Sequence, residues 1–310
     1  MSSRHIQAPG AVVMIRPHRF HPNPETATDN AFQRSAAEQT HRELSRAAYD
    51  EVTAAAAQLE AAGVRVHVFE DRGERETPDS VFPNNWFSTH HGGHVAIYPM
   101  YSPSRRRERR YDIIEMLKAE YRVQDVIDYS CLEYDDLFLE GTGAMVLDHL
   151  ARVAYTARSN RADPIALERF CTHFNFEPMA FATADEHGKP IYHTNVLMCI
   201  GTEFALVGFD MIENPRRREE IRARLAEGGR AIIDLDRRQI NEFAGNAIEL
   251  STGRDRILAT STRAAAALRA DQKAIVEQSA RIVELAVPTI ELAGGSVRCM
   301  LAGIHLARRP

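Results

Sequence analysis

Apolar and polar residues follow two different periods along the chain, which indicates a succession of helices and strands. Residues 33–62 are rich in Ala, Glu, Gln, Leu and Arg, and they predict a helix that stops at Gly63. A β-branched run, VRVHVF, follows at once and predicts a strand. Comparable helices are predicted at 105–120, 164–174, 215–227 and 262–285. This pattern predicts the α/β fold class. Because no Gly/Ser linker divides the chain, one domain over residues 1–310 is favoured.

Four polar or reactive residues recur at a constant interval beside strand-like apolar runs. Glu140, His193, Asn246 and Cys299 each stand 53 residues after the one before, and Asn85 lies 55 residues before Glu140. A module of roughly 50 residues that ends in a strand with a polar turn suggests about five modules around an axis. The polar groups would then converge at the centre. The alternative is a coincidence of spacing in a chain with many α/β alternations.

Composition and charge narrow the class of protein. The 310 residues have 44% apolar content, enough for a sizeable core, and a net charge of -5. Positive charge occurs in short runs such as Arg105–Arg107, which disfavours a nucleic-acid partner. No segment approaches the ~20 apolar residues that span a membrane, so a cytoplasmic protein without a membrane partner is predicted. The cluster HHGGH at 90–94 is interpreted as a polar hairpin and not as a metal site.

The cysteines are widely separated along the chain. Cys131, Cys171, Cys199 and Cys299 form no CxxC pair, so neither a disulfide framework nor a zinc site is indicated. Cys299 follows the segment GGSVR, which places a flexible turn and a guanidinium next to its thiol. A nearby cation raises the thiolate fraction at neutral pH, and this makes Cys299 a candidate nucleophile. The alternative, a buried apolar residue, is the interpretation given to the other three.

His193 and Glu140 supply the other parts of a Cys-His-acid site. His193 in YHTN begins a strand-like run where a general base can be shielded from water, although structural histidines also occur in such places. Glu140 in EGTG stands beside two glycines, as close approach of the backbone to a ligand requires. Together with Cys299, on corresponding positions of repeated modules, these side chains predict a catalytic group.

Two kinds of segment predict substrate contacts. TPDSVFPNNWFS combines Asp79 and Asn85 with Phe82, which can hold a planar polar head group between hydrogen-bonding and aromatic surfaces. The alternative is an ordinary turn that leads into a strand. Arg106 in SPSRRRERR and Arg158 in YTARSNRAD can clamp a carboxylate through parallel N–H bonds, whereas the alternative is a solvated charged face.

These motifs resemble the guanidino-group-modifying superfamily, or penteins, which includes arginine deiminases and dimethylarginine dimethylaminohydrolases. PDSVFPNNW looks like the dimethylargininase stretch that contributes two substrate-binding acids and an aromatic residue. This implies that role for Asp79, Phe82 and Asn85. SPSRRRE and ARSN are similar to the two arginine-bearing segments of that family, which implies Arg106 and Arg158 as carboxylate contacts.

The deiminase motifs are matched as well. EGTG resembles EGGD, YHTN resembles HLD and RCM matches the surroundings of the nucleophile, which implies Glu140, His193 and Cys299 as catalytic residues. The family fold is a pseudo-fivefold α/β propeller of ββαβ modules around a central active site, and no metal or organic cofactor is needed. VFPNNWFSTH and ELAGGSVRCMLAGIHL are most similar to the branch called citrulline utilization hydrolase or amidinotransferase.

Two departures from the deiminase pattern bear on the substrate. Asn85 and Asn195 stand where deiminases have Asp. An amide both donates and accepts hydrogen bonds, so it suits a neutral ureido group. The prediction is a cysteine hydrolase of an amino acid substrate, converting citrulline to ornithine, carbon dioxide and ammonia. The alternatives are an arginine deiminase or dihydrolase, a dimethylargininase, an amidinotransferase and a non-catalytic binding propeller. A homo-oligomer is left open.

Overall fold

The structure is a computed structural model that describes residues 6–34 and 40–310. Within these ranges the strands are β1 Ala11–Pro17, β2 Arg65–Asp71, β3 Phe87–His90, β4 His94–Ile97, β5 Asp125–Asp128, β6 Met145–Asp148, β7 Val153–Ala157, β8 Glu177–Phe181, β9 Met198–Ile200, β10 Phe204–Val207, β11 Ala231–Asp234, β12 Ile248–Ser251, β13 Arg256–Ser261, β14 Arg281–Leu285 and β15 Ala302–Gly303. The α-helices are α1 His41–Ala61, α2 Pro103–Arg106, α3 Tyr111–Glu120, α4 Gly141–Ala144, α5 Pro164–Phe174, α6 Pro215–Ala226, α7 Arg237–Asn241, α8 Thr262–Ala267, α9 Ala270–Glu277 and α10 Val297–Met300. Short 3₁₀ turns lie at Pro83–Asn85, Ser130–Asp135, Thr194–Val196, Phe209–Met211 and Ile290–Ala293.

In the described part of the chain these strands form five sheets of three strands each. In every sheet the central strand runs antiparallel to one neighbour and parallel to the other. Helices connect the parallel pair, because parallel neighbours need a long crossover. Each unit therefore has the order strand, strand, helix, strand. Four units are continuous in sequence, and the fifth pairs β15 with β1 and β2 from the other end of the chain. The predicted α/β class and the five recurring units are confirmed.

Several strands are covered on both faces, which explains their uninterrupted apolar sequences. Strands β6, β7, β9 and β10 are buried along their whole lengths. Their apolar side chains pack with neighbouring units into shared clusters. The turns that precede β6 and β9 are buried as well, so their polar groups lie inside the molecule.

The helices agree with the sequence prediction in part. The helix at 164–174 is confirmed, and Asp163 caps it by accepting from two backbone amides. Of the helix predicted at 33–62, residues 41–61 are helical, while residues 35–39 lie outside the described residues. The prediction at 262–285 is wrong beyond Glu277, because the β-branched residues that follow pair with β13 as strand β14. None of the described helices is long and apolar enough to cross a membrane.

The recurring polar residues occupy one structural position. Asn85 ends the 3₁₀ turn before β3, and Glu140 and His193 each precede a helical turn that leads into the first strand of a unit. Asn246 stands just before β12, and Cys299 lies in α10 just before β15. Each of these polar residues therefore precedes the first strand of its unit, and the continuous units end in a strand, as the predicted module does.

Candidate active site

A carboxylate and an imidazole meet inside the molecule. Glu140 Oε2 lies 2.8 Å from His193 Nε2, and the two side chains are 0% and 1% exposed. The carboxylate can only accept, so the bond assigns the ring proton to Nε2 and leaves Nδ1 as the acceptor of a neutral imidazole. Gly143 permits this approach, because a Cβ atom there would lie 2.9 Å from His193 Nδ1.

The other glycine of EGTG has a related purpose. Gly141 has a positive φ of 47°, and a Cβ atom there would lie 2.5 Å from the carbonyl oxygen of Asn84. Both glycines therefore make room for neighbouring protein segments. The predicted close approach at these glycines is therefore made by the Asn84–Asn85 turn and by His193, and not by a ligand.

Two buried guanidinium groups share the Glu140 carboxylate with the imidazole. Arg105 Nη1 and Arg161 Nη1 lie 3.4 Å and 3.5 Å from Glu140 Oε2. Burial favours the neutral acid, but Arg161, the hydrogen bond with His193 and Arg105 outweigh it and hold the pKa of Glu140 below its usual range. Burial lowers the pKa of His193 to about 4, although Glu140 acts in the opposite direction. The pair is therefore a carboxylate beside a neutral imidazole at pH 7.

Arg105 also holds a second carboxyl group. Its Nε and Nη2 atoms donate to Glu108 at 2.9 Å and 3.0 Å, one helical turn further along the chain. Burial raises the pKa of Glu108 to about 8, against the opposing effect of Arg105. The buried centre therefore contains one carboxyl group that is easily neutralised beside one that stays ionised.

The thiol of Cys299 is held by two amide side chains. Asn195 Nδ2 lies 3.3 Å and Asn246 Nδ2 lies 3.2 Å from Cys299 Sγ. All three side chains are buried. Burial raises the pKa of Cys171 and Cys199 to about 12, so these two thiols stay protonated. Among the buried thiols of the described residues, Cys299 is the one that two side-chain amide groups face.

One small cavity joins these groups. Five of the predicted site residues line it, namely Asp79, Phe82, Asn85, His193 and Cys299. The other lining residues are Thr26, Asn30, Arg105, Arg161, Tyr192, Ala293 and Gly295. Its free volume is about 10 Å³, which is close to the minimum for one water molecule. An amino acid can enter only if one wall moves.

The predicted substrate contacts of the TPDSVFPNNWFS segment, Asp79, Phe82 and Asn85, line the cavity. Asp79 Oδ2 accepts from Asn23, whereas Asp79 Oδ1 has no partner among the described residues. Burial raises the pKa of Asp79, with Arg105 opposing it. The Asn85 amide, with its oxygen turned toward Arg105, accepts from Nη1 and Nη2 at 2.9 Å and 3.0 Å. The ring of Phe82 packs against Gly295. Asp79 Oδ1 is thus an acceptor left open for a ligand N–H.

Four predicted site residues do not line this cavity, namely Arg106, Arg158, Asn195 and Glu140, the last of which lies against His193. Arg106 donates to the carbonyl oxygens of Met100 and Tyr101 and is partly exposed. Arg158 is exposed beyond the end of β7. The Asn195 amide faces Cys299 Sγ instead of the cavity. The structure therefore turns a different arginine of each basic segment inward, Arg105 and Arg161, because these two find buried carboxylate partners.

The segment from Asn23 to Asn30 forms one wall of the cavity. Asp29 pairs with Arg161 through two contacts of 2.5 Å and 2.9 Å, and Asn30 Nδ2 donates to the carbonyl oxygen of Ala293 at 3.1 Å. On the outer side, Asn23, Pro24 and Glu25 line a surface groove of about 1010 Å³. The wall thus separates an open groove from the closed cavity, and side-chain contacts hold it in place.

Sequence reasoning assigned no site role to Arg105, Arg161 or Asn246. Asn246 carried a usable signal, because it stands 53 residues before Cys299 and its side chain bonds the thiol. Arg105 carried a weaker signal in its i,i+3 spacing from Glu108. Arg161 had none, since its partners Asp29 and Glu140 are 132 and 21 residues away. The predicted hairpin at 90–94 is confirmed, with β3 and β4 paired around it.

Solved structures of other proteins have a similar fold. The N-terminal domain of ArgZ, a cyanobacterial arginine dihydrolase of the ornithine-ammonia cycle bound to substrate, matches with a TM-score of 0.73 and 17% identity, over 95% of this chain and 97% of that chain. AgrE in complex with L-arginine matches with a TM-score of 0.74 and 16% identity, over 96% of this chain and 40% of that chain. DDAH from Pseudomonas aeruginosa in complex with citrulline matches with a TM-score of 0.63 and 13% identity, over 97% of this chain and 100% of that chain. At such identities the likeness shows the fold, which is the mixed α/β fold of the guanidino-modifying enzymes.

The family follows from the sequence match. A model for the family N,N dimethylarginine dimethylhydrolase, eukaryotic, matches residues 16–306. Because this covers most of the chain, the chain belongs to that family of hydrolases. The predicted superfamily and the predicted enzyme class, a hydrolase of C–N bonds other than peptide bonds, are confirmed. Among curated proteins no relative matches the chain.

Proposed function

We propose that the protein hydrolyses the ureido C–N bond of citrulline, with Cys299 as nucleophile, His193 as general acid and base, and Glu140 as the group that orients His193. One observation carries this proposal. Cys299, His193 and Asp79 line the same small cavity, and Asp79 Oδ1 has no hydrogen-bond partner among the described residues. A nucleophile, a proton carrier and an acceptor for substrate N–H are the parts that displacement at a planar carbon requires.

The reaction balances in two steps. His193 Nδ1 takes the thiol proton, Cys299 Sγ forms a bond to the ureido carbon, and the departing nitrogen takes that proton and leaves as ammonia. Water then attacks the same carbon, His193 accepts its proton and returns it to sulfur, and the C–S bond breaks. The carbamate so formed loses carbon dioxide and leaves ornithine. Glu140 stabilises the imidazolium that forms in each step, through the 2.8 Å bond to Nε2.

The amide of Asn85 supports citrulline as substrate. Arg105 and Arg161 line the cavity with Asp79, and both guanidinium groups already have carboxyl partners, namely Glu108 for Arg105, Asp29 for Arg161 and Glu140 for both. Asn85 replaces one more carboxylate with an amide. A neutral ureido group fits such a site without adding a charge, whereas a guanidinium adds a buried cation. Asp79 Oδ1 can also accept from a guanidinium, which keeps arginine and dimethylarginine as the second candidates, in keeping with the family.

The binding of the amino acid end needs a movement of the wall. We propose that Arg161 binds the substrate carboxylate after Asp29 has left it, and that Phe82 and Asn85 hold the head group. A carboxylate role for Arg106 or Arg158 would require the site to open toward them. We further propose that the five units surround a pseudo-fivefold axis as a propeller and that the chain is one domain. A cytoplasmic location and a homo-oligomer stay predictions.

The test is a substrate panel with product analysis. Wild-type protein and Cys299→Ser are incubated with citrulline, arginine and dimethylarginine, and ammonia and ornithine are measured together. We expect equal amounts of ammonia and ornithine from citrulline, and a rate at least about 100-fold lower for Cys299→Ser. Binding and turnover of arginine without any binding of citrulline would refute the ureido substrate. Unchanged turnover in Cys299→Ser would refute the nucleophile.

The remaining alternatives separate in the same assay. An amidinotransferase needs an acceptor amine in the second step, so ammonia release from citrulline in amine-free buffer argues against it. A non-catalytic binding protein predicts no turnover and no labelling of Cys299 by a chloroacetamidine probe. Labelling that is absent in Cys299→Ser argues against that alternative.

A further inference from the structure

Both polar atoms of the Asn246 side chain have hydrogen-bond partners in the protein. Its Oδ1 atom accepts from the backbone N–H of Arg298 at 3.0 Å. Its Nδ2 group donates to the carbonyl oxygen of Asn195 at 2.9 Å and lies 3.2 Å from Cys299 Sγ. The residue is 0% exposed. Because an amide N–H₂ has two hydrogens, one remains for sulfur when the other is used on Asn195.

These contacts determine which way the amide faces. If the Asn246 amide were turned over, its N–H₂ would face the N–H of Arg298 and its oxygen would face the carbonyl oxygen of Asn195, so two bonds would be lost. The orientation with Nδ2 toward sulfur is therefore the one that all the neighbours require. Asn246 can donate to Cys299 Sγ but cannot accept from it.

Asn195 is different in this respect. Its Nδ2 atom lies 3.3 Å from Cys299 Sγ, and its Oδ1 atom lies 3.6 Å from the same sulfur. It can therefore accept from a thiol or donate to a thiolate. Asn246 has only the second choice. A fixed donor favours the charged form of the group that it faces, because hydrogen bonds to an ionised acceptor are about twice as strong as those to a neutral one.

We propose that Asn246 is a further catalytic residue, a fixed hydrogen-bond donor that stabilises the Cys299 thiolate. This rests on the proposed function, in which the thiolate appears twice. It is the attacking group in the first step and the leaving group in the second, when the C–S electron pair returns to sulfur. One donor on Sγ assists both steps, since it favours formation of the thiolate and its departure from carbon.

The test is the alkylation rate of Cys299 as a function of pH, in full-length protein without substrate. Iodoacetamide is the probe, and labelling at Cys299 is counted by mass spectrometry. Asn246→Asp keeps the size and the acceptor toward Arg298 but removes the donor. We expect alkylation at pH 7 to fall by about 10-fold or more and the midpoint of the pH profile to rise. Asn246→Ala should show the same direction with a smaller change, because it adds no negative charge.

The matched control is Asn241→Asp, the same exchange at an exposed residue of α7, which should alkylate as the wild type does. Circular dichroism and thermal unfolding identify the variants that fold. If Asn246→Asp does not fold, the alkylation rate of Asn246→Ala is the test. An unchanged midpoint in a folded Asn246 variant would overturn the inference. Because alkylation needs no substrate, a slowed Asn246 variant of a protein that does not turn over citrulline refutes the proposed function and leaves the donor role in place.

Discussion

Two buried carboxylates, one before strand β6 and one at its last residue, pair with arginine in different ways. Asp148, at the end of the strand, binds Arg230 through two contacts of 2.6 Å and 2.9 Å and also accepts from the backbone amides of Leu150 and Ala151. Glu140, before the strand, shares one oxygen among His193 at 2.8 Å, Arg105 at 3.4 Å and Arg161 at 3.5 Å. Both carboxylates are 0% exposed.

The difference teaches how a buried charge is used in this fold. The contacts of Asp148 with Arg230 are short and bidentate, and backbone amides occupy its remaining acceptor positions. This arrangement holds two units rigidly together. The Glu140 centre has longer contacts, includes a group that can gain and lose a proton, and borders a cavity. Burial of a carboxylate is therefore no indication of function by itself. One carboxylate oxygen shared by an imidazole and two guanidinium groups beside a cavity is the feature that distinguishes the candidate site.

The largest effect is expected from Glu140→Gln. The change removes the negative charge that stabilises the imidazolium form of His193, and general acid–base catalysis typically contributes 10²- to 10⁴-fold. We expect kcat to fall by at least about 100-fold, measured as ornithine release per folded molecule. A kcat within a factor of about five of the wild type would show that the Glu140 carboxylate is not needed for catalysis.

The matched change at the other end of the strand is Asp148→Asn. It leaves the buried Arg230 without its charge partner, which typically costs about 3 to 5 kcal/mol in the free energy of unfolding. We expect a lower midpoint in chemical denaturation but an unchanged kcat for the folded fraction. A selective loss of kcat with unchanged stability would show that the two centres do not differ as proposed.

A smaller effect is expected from pH, through His193. Its pKa is about 4 in the folded protein and about 6.5 in an unfolded chain, so the unfolded state binds the extra proton first as the pH falls. This group therefore lowers stability as the pH drops from 6.5 to 4, by at most about 3 kcal/mol, and has no effect above that window.

Other buried histidines titrate in the same direction, so the measurement is a difference. Burial lowers the pKa of His90 and His149, and that of His305 to about 3. The free energy of unfolding of the wild type minus that of His193→Gln should fall as the pH drops from 6.5 to 4. A constant difference over this range would mean that folding does not lower the pKa of His193, contrary to the neutral pair described above.

The smallest effect is expected from Asp29→Asn. Asp29 is partly exposed and competes for Arg161, so its removal should favour binding of a substrate carboxylate. We expect KM for citrulline to fall by about two- to fivefold with little change in kcat, as suits a pair near the surface. Asp50→Asn, which breaks the exposed Arg46 pair on α1, serves as the control and should change neither constant. A raised KM would indicate that the Asp29–Arg161 ion pair is needed for substrate binding.

Much of the fold was accessible from the sequence because it depends on local patterns. The helix at 164–174 was located from its composition, and the 53-residue interval located equivalent turns in different units. Residues 281–285 were misassigned to a helix because their partner strand, β13, supplies information that a local pattern lacks. Propensity is a weak guide where pairing with a distant strand decides the outcome.

The sequence by itself marked Glu140, His193, Asn246 and Cys299 by interval and residue type, and it predicted their equivalent places in the modules. Only the tertiary structure decided which neighbours turn inward. Arg105 and Arg161 are buried while Arg106 and Arg158 are not, because adjacent side chains point in different directions and a buried guanidinium needs a carboxylate from a distant segment. The same holds for the amides, since contacts across the fold place Asn195 and Asn246 on the Cys299 sulfur.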